Sequence, residues 1–276
     1  MSNMDRITED NMKEKICSWV NKVPILFCFL VCICTLGISS IFVWDDNPIT
    51  GWDKLVGDVC ITLFCMIFLW CLGLWKKAGF TRAGFGRGLL LGIPFYVIGI
   101  CAAVIGNIGT DFAALTLRSE SFLVLFALNM FFVGMNEEVL MRALVLNVLR
   151  VKYGETESGD VKAVWISALI FGLIHLPNVF FMSPLTVVVQ AVNAASAGVL
   201  FAVIYLKSGN LWANIIIHMI VDFLSLFVGQ CFTSGASVLS MELTIGGAVG
   251  MIIAGSLPPL IVAWFYQKCK SAKRTD

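Results

Sequence analysis

Six ionisable side chains lie within strongly apolar stretches of the sequence. They are Glu137, Glu138, Arg142, His175, His218 and Asp222. A charge at the centre of a bilayer costs about 2.5–3.5 kcal/mol on insertion scales, so ionisable groups in such stretches indicate function. The two histidines are the only ones in the chain. Any histidine chemistry must therefore use His175, His218 or both.

Spacing along a helix assigns different roles to these groups. Glu138 and Arg142 are four residues apart, so they share a helical face and are predicted to form a structural ion pair. Glu137 points about 100° away from Glu138 and is predicted to face an imidazole or water. His218 and Asp222 have the same four-residue spacing. Catalytic candidates are therefore Glu137, Glu138, His175, His218 and Asp222.

The candidate groups are also predicted to lie at one depth. Glu137, His175 and His218 each lie 11 to 13 residues from a lysine or arginine of a predicted cytoplasmic loop. At the rise of an α-helix, this separation is about 16–20 Å. Three helices would thus bring polar groups to one level, which indicates a shared site. Asp58, near the start of another apolar stretch, is interpreted as a boundary residue.

The elements that carry these residues are predicted to be membrane-spanning helices. The 276 residues are 59% hydrophobic and only 13% charged, whereas an ordinary soluble domain is about 45–50% apolar and about 25% charged. This composition excludes a water-soluble globule. About 20 apolar residues span a bilayer as a helix. Eight such stretches are predicted: Val23 to Val43, Leu55 to Leu74, Gly88 to Ile105, Ser121 to Leu149, Val161 to Pro177, Pro184 to Leu206, Leu211 to Gln230, and Leu243 to Tyr266.

The fold class is therefore an all-α, polytopic transmembrane helix bundle of about eight spans. Most lysines and arginines fall in the terminal segments and alternate loops, which predicts that both termini are cytoplasmic. The predicted organisation is a polar arm at 1–22, one integral-membrane domain at 23–267 and a basic tail at 268–276. A net charge of +1 gives no reason to expect nucleic acid as a partner.

Three motifs follow one another along the predicted helices. They read Glu137-Glu138-x-x-x-Arg142, Phe171-x-x-x-His175 and His218-x-x-x-Asp222. Together they resemble the CPBP family (CAAX protease and bacteriocin-processing, also called Abi) of intramembrane proteases, over about 121–227. The resemblance implies hydrolysis of a peptide bond within or beside the membrane.

The same resemblance implies roles for the motif residues. Glu137 with His175 would activate a water molecule, and His218 with the residue at position 222 would stabilise the oxyanion. An asparagine at this last position would donate a hydrogen bond, which an ionised Asp222 cannot do. Asp222 is therefore either protonated or orients His218.

Whether a metal takes part is left open by the sequence. Glu137, His175 and His218 would supply the two-histidine, one-carboxylate ligand set of a catalytic zinc. Family members have been described both as metalloproteases and as metal-independent glutamate proteases. We favour the metal-free mechanism, because the Arg142 cation disfavours a dication nearby.

Two other functions are compatible with the same residues. Intramembrane Glu, His and Asp also form proton relays, so a proton-coupled transporter is one alternative. A non-catalytic immunity or scaffold protein that retains the fold is the other. For the protease, the expected partners are membrane lipid and a membrane-associated peptide or protein, such as a bacteriocin or pheromone precursor or a CAAX-like substrate. The expected location is the plasma membrane.

Overall fold

The protein is a bundle of helices in a computed structural model, which describes residues 17–42, 49–233 and 243–268. Ten α-helices within these ranges are numbered here: α1 Pro24–Ile41, α2 Trp52–Cys71, α3 Phe85–Leu91, α4 Ile93–Gly106, α5 Glu120–Glu138, α6 Asn147–Tyr153, α7 Glu157–Leu173, α8 Pro184–Ser208, α9 Leu211–Cys231 and α10 Ile245–Lys268. A π-helix, Val139–Leu146, joins α5 to α6. Most of the polar arm (1–16) and of the basic tail (269–276), and the end of the first predicted span at Val43, lie outside the described residues.

Seven helical stretches in the described ranges are long and apolar enough to cross a membrane, and one bent pair would make eight. This finding confirms the prediction of an all-α, multi-pass membrane protein. Short polar caps begin several spans. The Ser119 hydroxyl accepts from the backbone of α5, and Asn210 Oδ1 accepts from Ala213 N at 2.8 Å at the start of α9. These side chains satisfy N–H groups that the helix itself leaves without partners.

The third predicted span is bent rather than straight. Helices α3 and α4 meet at 47° around Gly92, and Pro94 begins the second half. A Cβ at position 92 would lie 2.6 Å from Cδ1 of Ile217 on α9. Gly92 therefore allows the bend of this span to pack closely against α9, the helix that carries His218.

The fourth span is the longest, running from Glu120 to Tyr153 through α5, the π-helix and α6. Helix α5 packs against α2 and α9, and the π-helix also contacts α7 and α8. A short antiparallel ladder of Thr116–Leu117 and Phe232–Thr233 joins the start of α5 to the end of α9. These contacts bring the three predicted motifs to the interior of the bundle.

Candidate active site

Glu138 is the centre of a buried hydrogen-bonded network. Its side chain has 0% exposure, and its Oε1 lies 3.0 Å from Arg142 Nη1 and 2.8 Å from His218 Nδ1. Asn214 Nδ2 donates to Glu138 Oε2 at 3.0 Å and to the backbone oxygen of Phe201 at 2.9 Å. The predicted contact between Glu138 and Arg142 is thus present, within a larger set of partners.

The Arg142 side chain is enclosed between two aromatic rings. Its guanidinium carbon lies 4.7 Å from the ring centre of Phe171 and 4.9 Å from that of Phe201. Cation–π contacts of this kind are strongest when they are desolvated, and Arg142 is 1% exposed. Arg142 therefore links the first motif to the second, because Phe171 belongs to the second.

A π-helix begins directly after the two glutamates. All eight of its residues, Val139–Leu146, are buried, and the backbone N–H of Val139 is shared between the carbonyls of Met135 and Asn136. π-Helical turns occur frequently at functional sites. Here the change in hydrogen-bonding pattern lies at the point where the chain presents Glu137 and Glu138 to their neighbours.

His218 is fixed by contacts to both of its ring nitrogens and to its face. A carboxylate beside an arginine accepts hydrogen bonds, so the Nδ1 that meets Glu138 carries a hydrogen. Nε2 faces Glu137 Oε2 at 3.4 Å and Asp222 Oδ2 at 3.6 Å. The ring is stacked on Phe201 with 4.9 Å between centroids. Three carboxylates therefore surround one imidazole.

Glu137 differs from its neighbour in environment. Its side chain is 22% exposed, whereas that of Glu138 is fully buried. Its distance of 3.4 Å to His218 Nε2 is longer than a normal hydrogen bond. Glu137 is consequently the carboxylate of the pair that is accessible to a water molecule or a substrate.

His175 lies on the other side of Phe171, just beyond the end of α7. Its Nδ1 donates to the Phe171 carbonyl oxygen at 2.7 Å, and its ring meets the Phe171 ring edge-on at 5.0 Å. It is close enough to Asp222 for an electrostatic interaction. Within the described residues, Glu137 makes its imidazole contact with His218 rather than with His175, which differs from the pairing that the family resemblance implies.

Three polar residues of this region are not among the candidates from the sequence. Asn214 binds Glu138, and Asn136 Nδ2 donates to Asp58 Oδ1 at 2.7 Å. Asp58, which was interpreted as a boundary residue, is 2% exposed and is covered by side chains of its own helix and of α5. Its four-residue spacing from Lys54, which lies 2.6 Å from both carboxylate oxygens, was the available signal.

The three candidate zinc ligands do not form a metal-binding set in this arrangement. Across the part of the chain that the structure describes, no three His, Cys, Asp or Glu side chains are placed to hold a metal ion. Glu137 and His218 are adjacent, and the Nδ1 contacts of His218 with Glu138 and of His175 with a backbone oxygen leave the Nε2 atoms of both rings free of those partners.

Gly134 allows α5 and α9 to approach each other next to the site. A Cβ there would lie 3.0 Å from the Ile215 carbonyl oxygen and 3.4 Å from Cβ of His218. We expect Gly134→Ala to push α9 outward, to destabilise the protein by about 1–3 kcal/mol and to lower its activity roughly tenfold. Thermal unfolding and turnover of the purified variant would measure both effects.

Gly250→Ala is the matched control, because no heavy atom lies within 4 Å of its added Cβ. It provides the same gain in helix propensity without the close contact. Equal activity of both variants would show that the approach of α5 and α9 at Gly134 does not position His218.

The segment that carries the candidate site is similar to a known protein family. Residues 119–224 match the family described as Rce1-like, type II CAAX prenyl endopeptidase. Comparison with curated proteins and with solved structures finds no match. The family match covers all three motifs and confirms the resemblance that they carry. Residues 119–224 are therefore similar to the Rce1-like family, which agrees with the resemblance of the three motifs to CPBP proteases.

Proposed function

We propose that this protein is an intramembrane endopeptidase that hydrolyses a peptide bond of a membrane-associated peptide or protein. The observation that carries the proposal is the contrast between the adjacent glutamates. Glu138 is fully buried, and both of its carboxylate oxygens have polar partners, whereas Glu137 is 22% exposed beside an imidazole. Such an arrangement separates one carboxylate that holds the site from one that can exchange a proton.

Glu137 is assigned the role of general base and acid. Its carboxylate takes a proton from a water molecule as the water oxygen bonds to the scissile carbonyl carbon. The resulting tetrahedral intermediate then expels the amine, and Glu137 returns the proton to the leaving nitrogen as the C–N bond breaks. The products are a carboxylate terminus and an amine terminus, with no oxidant or other reactant required.

His218 is assigned the role of stabilising the developing oxyanion. Glu138 and Phe201 hold its ring, so Nε2 keeps a fixed direction towards the space beside Glu137. When the ring is an imidazolium, its Nε2–H can be donated to the oxyanion. A donor of this kind contributes about 2.7–4 kcal/mol to transition-state stabilisation. Asp222, 3.6 Å from the same nitrogen, orients the ring.

His175 is assigned the role of holding the attacking water molecule. A carbonyl oxygen can only accept, so the contact with Phe171 places a hydrogen on Nδ1 of His175. In the neutral ring, Nε2 then carries a lone pair and can accept a hydrogen bond from water. His175 and Glu137 would thus share the water without touching each other.

The substrate and location are proposed from the same family and from the membrane setting. A membrane-bound peptide would reach the site along the bilayer, which suits a CAAX-type lipidated peptide and equally a bacteriocin or pheromone precursor. We place the protein in the plasma membrane with both termini in the cytoplasm, because positively charged loops favour that side. Membrane lipid is the second partner.

The proposal is tested by reconstituting the purified protein in liposomes with a farnesylated CAAX peptide and its unlipidated counterpart. We expect cleavage at one bond of the lipidated peptide, detected by mass spectrometry. A panel of bacteriocin and pheromone precursor peptides extends the test to the other substrate class. Proton-dependent solute flux in the same liposomes, without cleavage of any peptide, would favour a transporter instead.

We expect activity to survive removal of metal ions. The assigned steps use Glu137, His175 and His218 alone, and these groups do not form a metal-binding set among the described residues. The rate of cleavage after dialysis against a chelator should stay within about twofold of the untreated rate, since a side chain carries out each proton transfer. Metal analysis of the active protein checks the same point. One equivalent of zinc, with activity lost on removal and regained on addition, would contradict the metal-free assignment.

A further inference from the structure

A second buried polar cluster lies beside the candidate site, on a helix that the three motifs do not include. It consists of Lys54 and Asp58 on α2 and Asn136 on α5. Asp58 accepts from Lys54 Nζ at 2.6 Å through both oxygens and from Asn136 Nδ2 at 2.7 Å through Oδ1. Asp58 is 2% exposed, so these partners replace the hydrogen bonds that water would make to an exposed carboxylate.

Asn136 connects this cluster to the catalytic turn. It immediately precedes Glu137, and its backbone carbonyl accepts from Val139 N at the junction between α5 and the π-helix. Its side chain is tied to α2 through Asp58. One residue therefore links a neighbouring helix to the point where the backbone changes its hydrogen-bonding pattern.

The charges of the cluster also reach the site. Asp58 is close enough to Glu137 for an electrostatic interaction. Lys54 neutralises Asp58, and its side chain is 20% exposed near the start of α2. A buried ion pair often contributes little to stability, because desolvation of the charges offsets their attraction. Specification of local geometry is a better explanation for its presence here.

We infer that Lys54 and Asp58 form an anchor that holds Asn136 and thereby positions Glu137 for proton transfer. This inference rests on the proposed function, since it concerns the group assigned as the base. Asp58 is a positioning residue, because it acts through Asn136. Loss of the anchor should therefore lower kcat and leave KM nearly unchanged.

Two substitutions at one position separate the hydrogen bond from the charge. In Asp58→Asn, the amide oxygen can still accept from Asn136, and Lys54 can extend towards the polar interface. In Asp58→Ala, Asn136 loses its acceptor. We expect kcat to fall about tenfold or more in Asp58→Ala, and to remain within about threefold of the parent in Asp58→Asn. Asn136→Leu should reproduce the alanine result.

Thr62→Val is the matched control on the same helix. The Thr62 hydroxyl donates to the backbone oxygen of Asp58 at 2.8 Å, so this variant removes a buried hydrogen bond on α2 but keeps the contacts of the Asp58 side chain with Lys54 and Asn136. It should keep kcat within about twofold. A general loss of packing on α2 would instead lower the activity of all the variants together.

Hydrogen–deuterium exchange provides a readout that does not depend on proteolysis. Backbone amides in the peptide covering 133–143 should exchange about tenfold faster in Asp58→Ala and Asn136→Leu than in Thr62→Val. Unchanged exchange and unchanged kcat in Asp58→Ala would overturn the anchor. If the parent protein cleaves no peptide, the proposed function fails, and the exchange data still decide whether Asp58 holds this turn.

Discussion

Glu137→Gln should abolish peptide cleavage while the protein remains folded in the membrane. The amide keeps the size of the carboxylate but cannot take a proton from water. General acid–base catalysis contributes about 10²–10⁴-fold to rate, so kcat should fall by at least that range. Because the side chain is 22% exposed, its replacement should disturb packing little. Turnover of the reconstituted variant and its thermal unfolding in detergent measure the two effects.

The shape of the kinetic loss distinguishes catalysis from binding. A group that acts only in the transition state lowers kcat and kcat/KM together, so KM should stay close to the parent value. Val124→Ala is a matched control for handling of the membrane protein, because this exposed residue lies on the same helix, far from the site. Cleavage at the parental rate by purified Glu137→Gln would remove Glu137 from the mechanism.

The helix bundle, and the proximity of several motif residues, could be predicted from the sequence because both follow from simple periodicities. Runs of about 20 apolar residues define spans regardless of their neighbours. Counting residues from loop charges places a side chain along the membrane normal. Glu137, Glu138, His218 and Asp222 do come together, and the i, i+4 spacing of Glu138 and Arg142 does correspond to a contact.

The pairing of the imidazoles could not be predicted in the same way. Depth along the membrane normal does not give the direction of a side chain around its own helix. A π-helix directly after Glu138 further changes the direction of the residues that follow. As a result, the contact of His218 with both glutamates depends on how α5 packs on α9, which no local spacing encodes.

Asp58 illustrates a second reason why sequence reasoning is incomplete. Its position near the start of a predicted span is typical of a residue at the membrane boundary. Only the packing of α2 against α5 shows that Asn136 covers it and that it lies near Glu137. Burial of a polar group at the end of a span is therefore a tertiary property, even when its cation is four residues away.

Arg142→Leu is expected to have the largest effect on stability. Arg142 is the cation for the fully buried Glu138, and it fills the space between two aromatic rings. Removal of one partner of a buried ion pair costs about 3–5 kcal/mol, because the other charge stays buried without compensation. Equilibrium unfolding in mixed SDS micelles should measure a loss of this size. Parental stability of Arg142→Leu would contradict the structural role of the pair.

The double variant Glu138→Met, Arg142→Met separates stability from catalysis. Replacement of both charges by apolar side chains of similar length leaves no unpaired ion, so most of the lost stability should return. Activity should not return, because His218 Nδ1 then lacks the acceptor that fixes its ring. Misdirection of a group near the reacting atoms costs about 10²-fold in rate. A stable but inactive double variant would therefore show that Glu138 serves catalysis through the orientation of His218, whereas recovery of cleavage together with stability would reduce its role to charge balance.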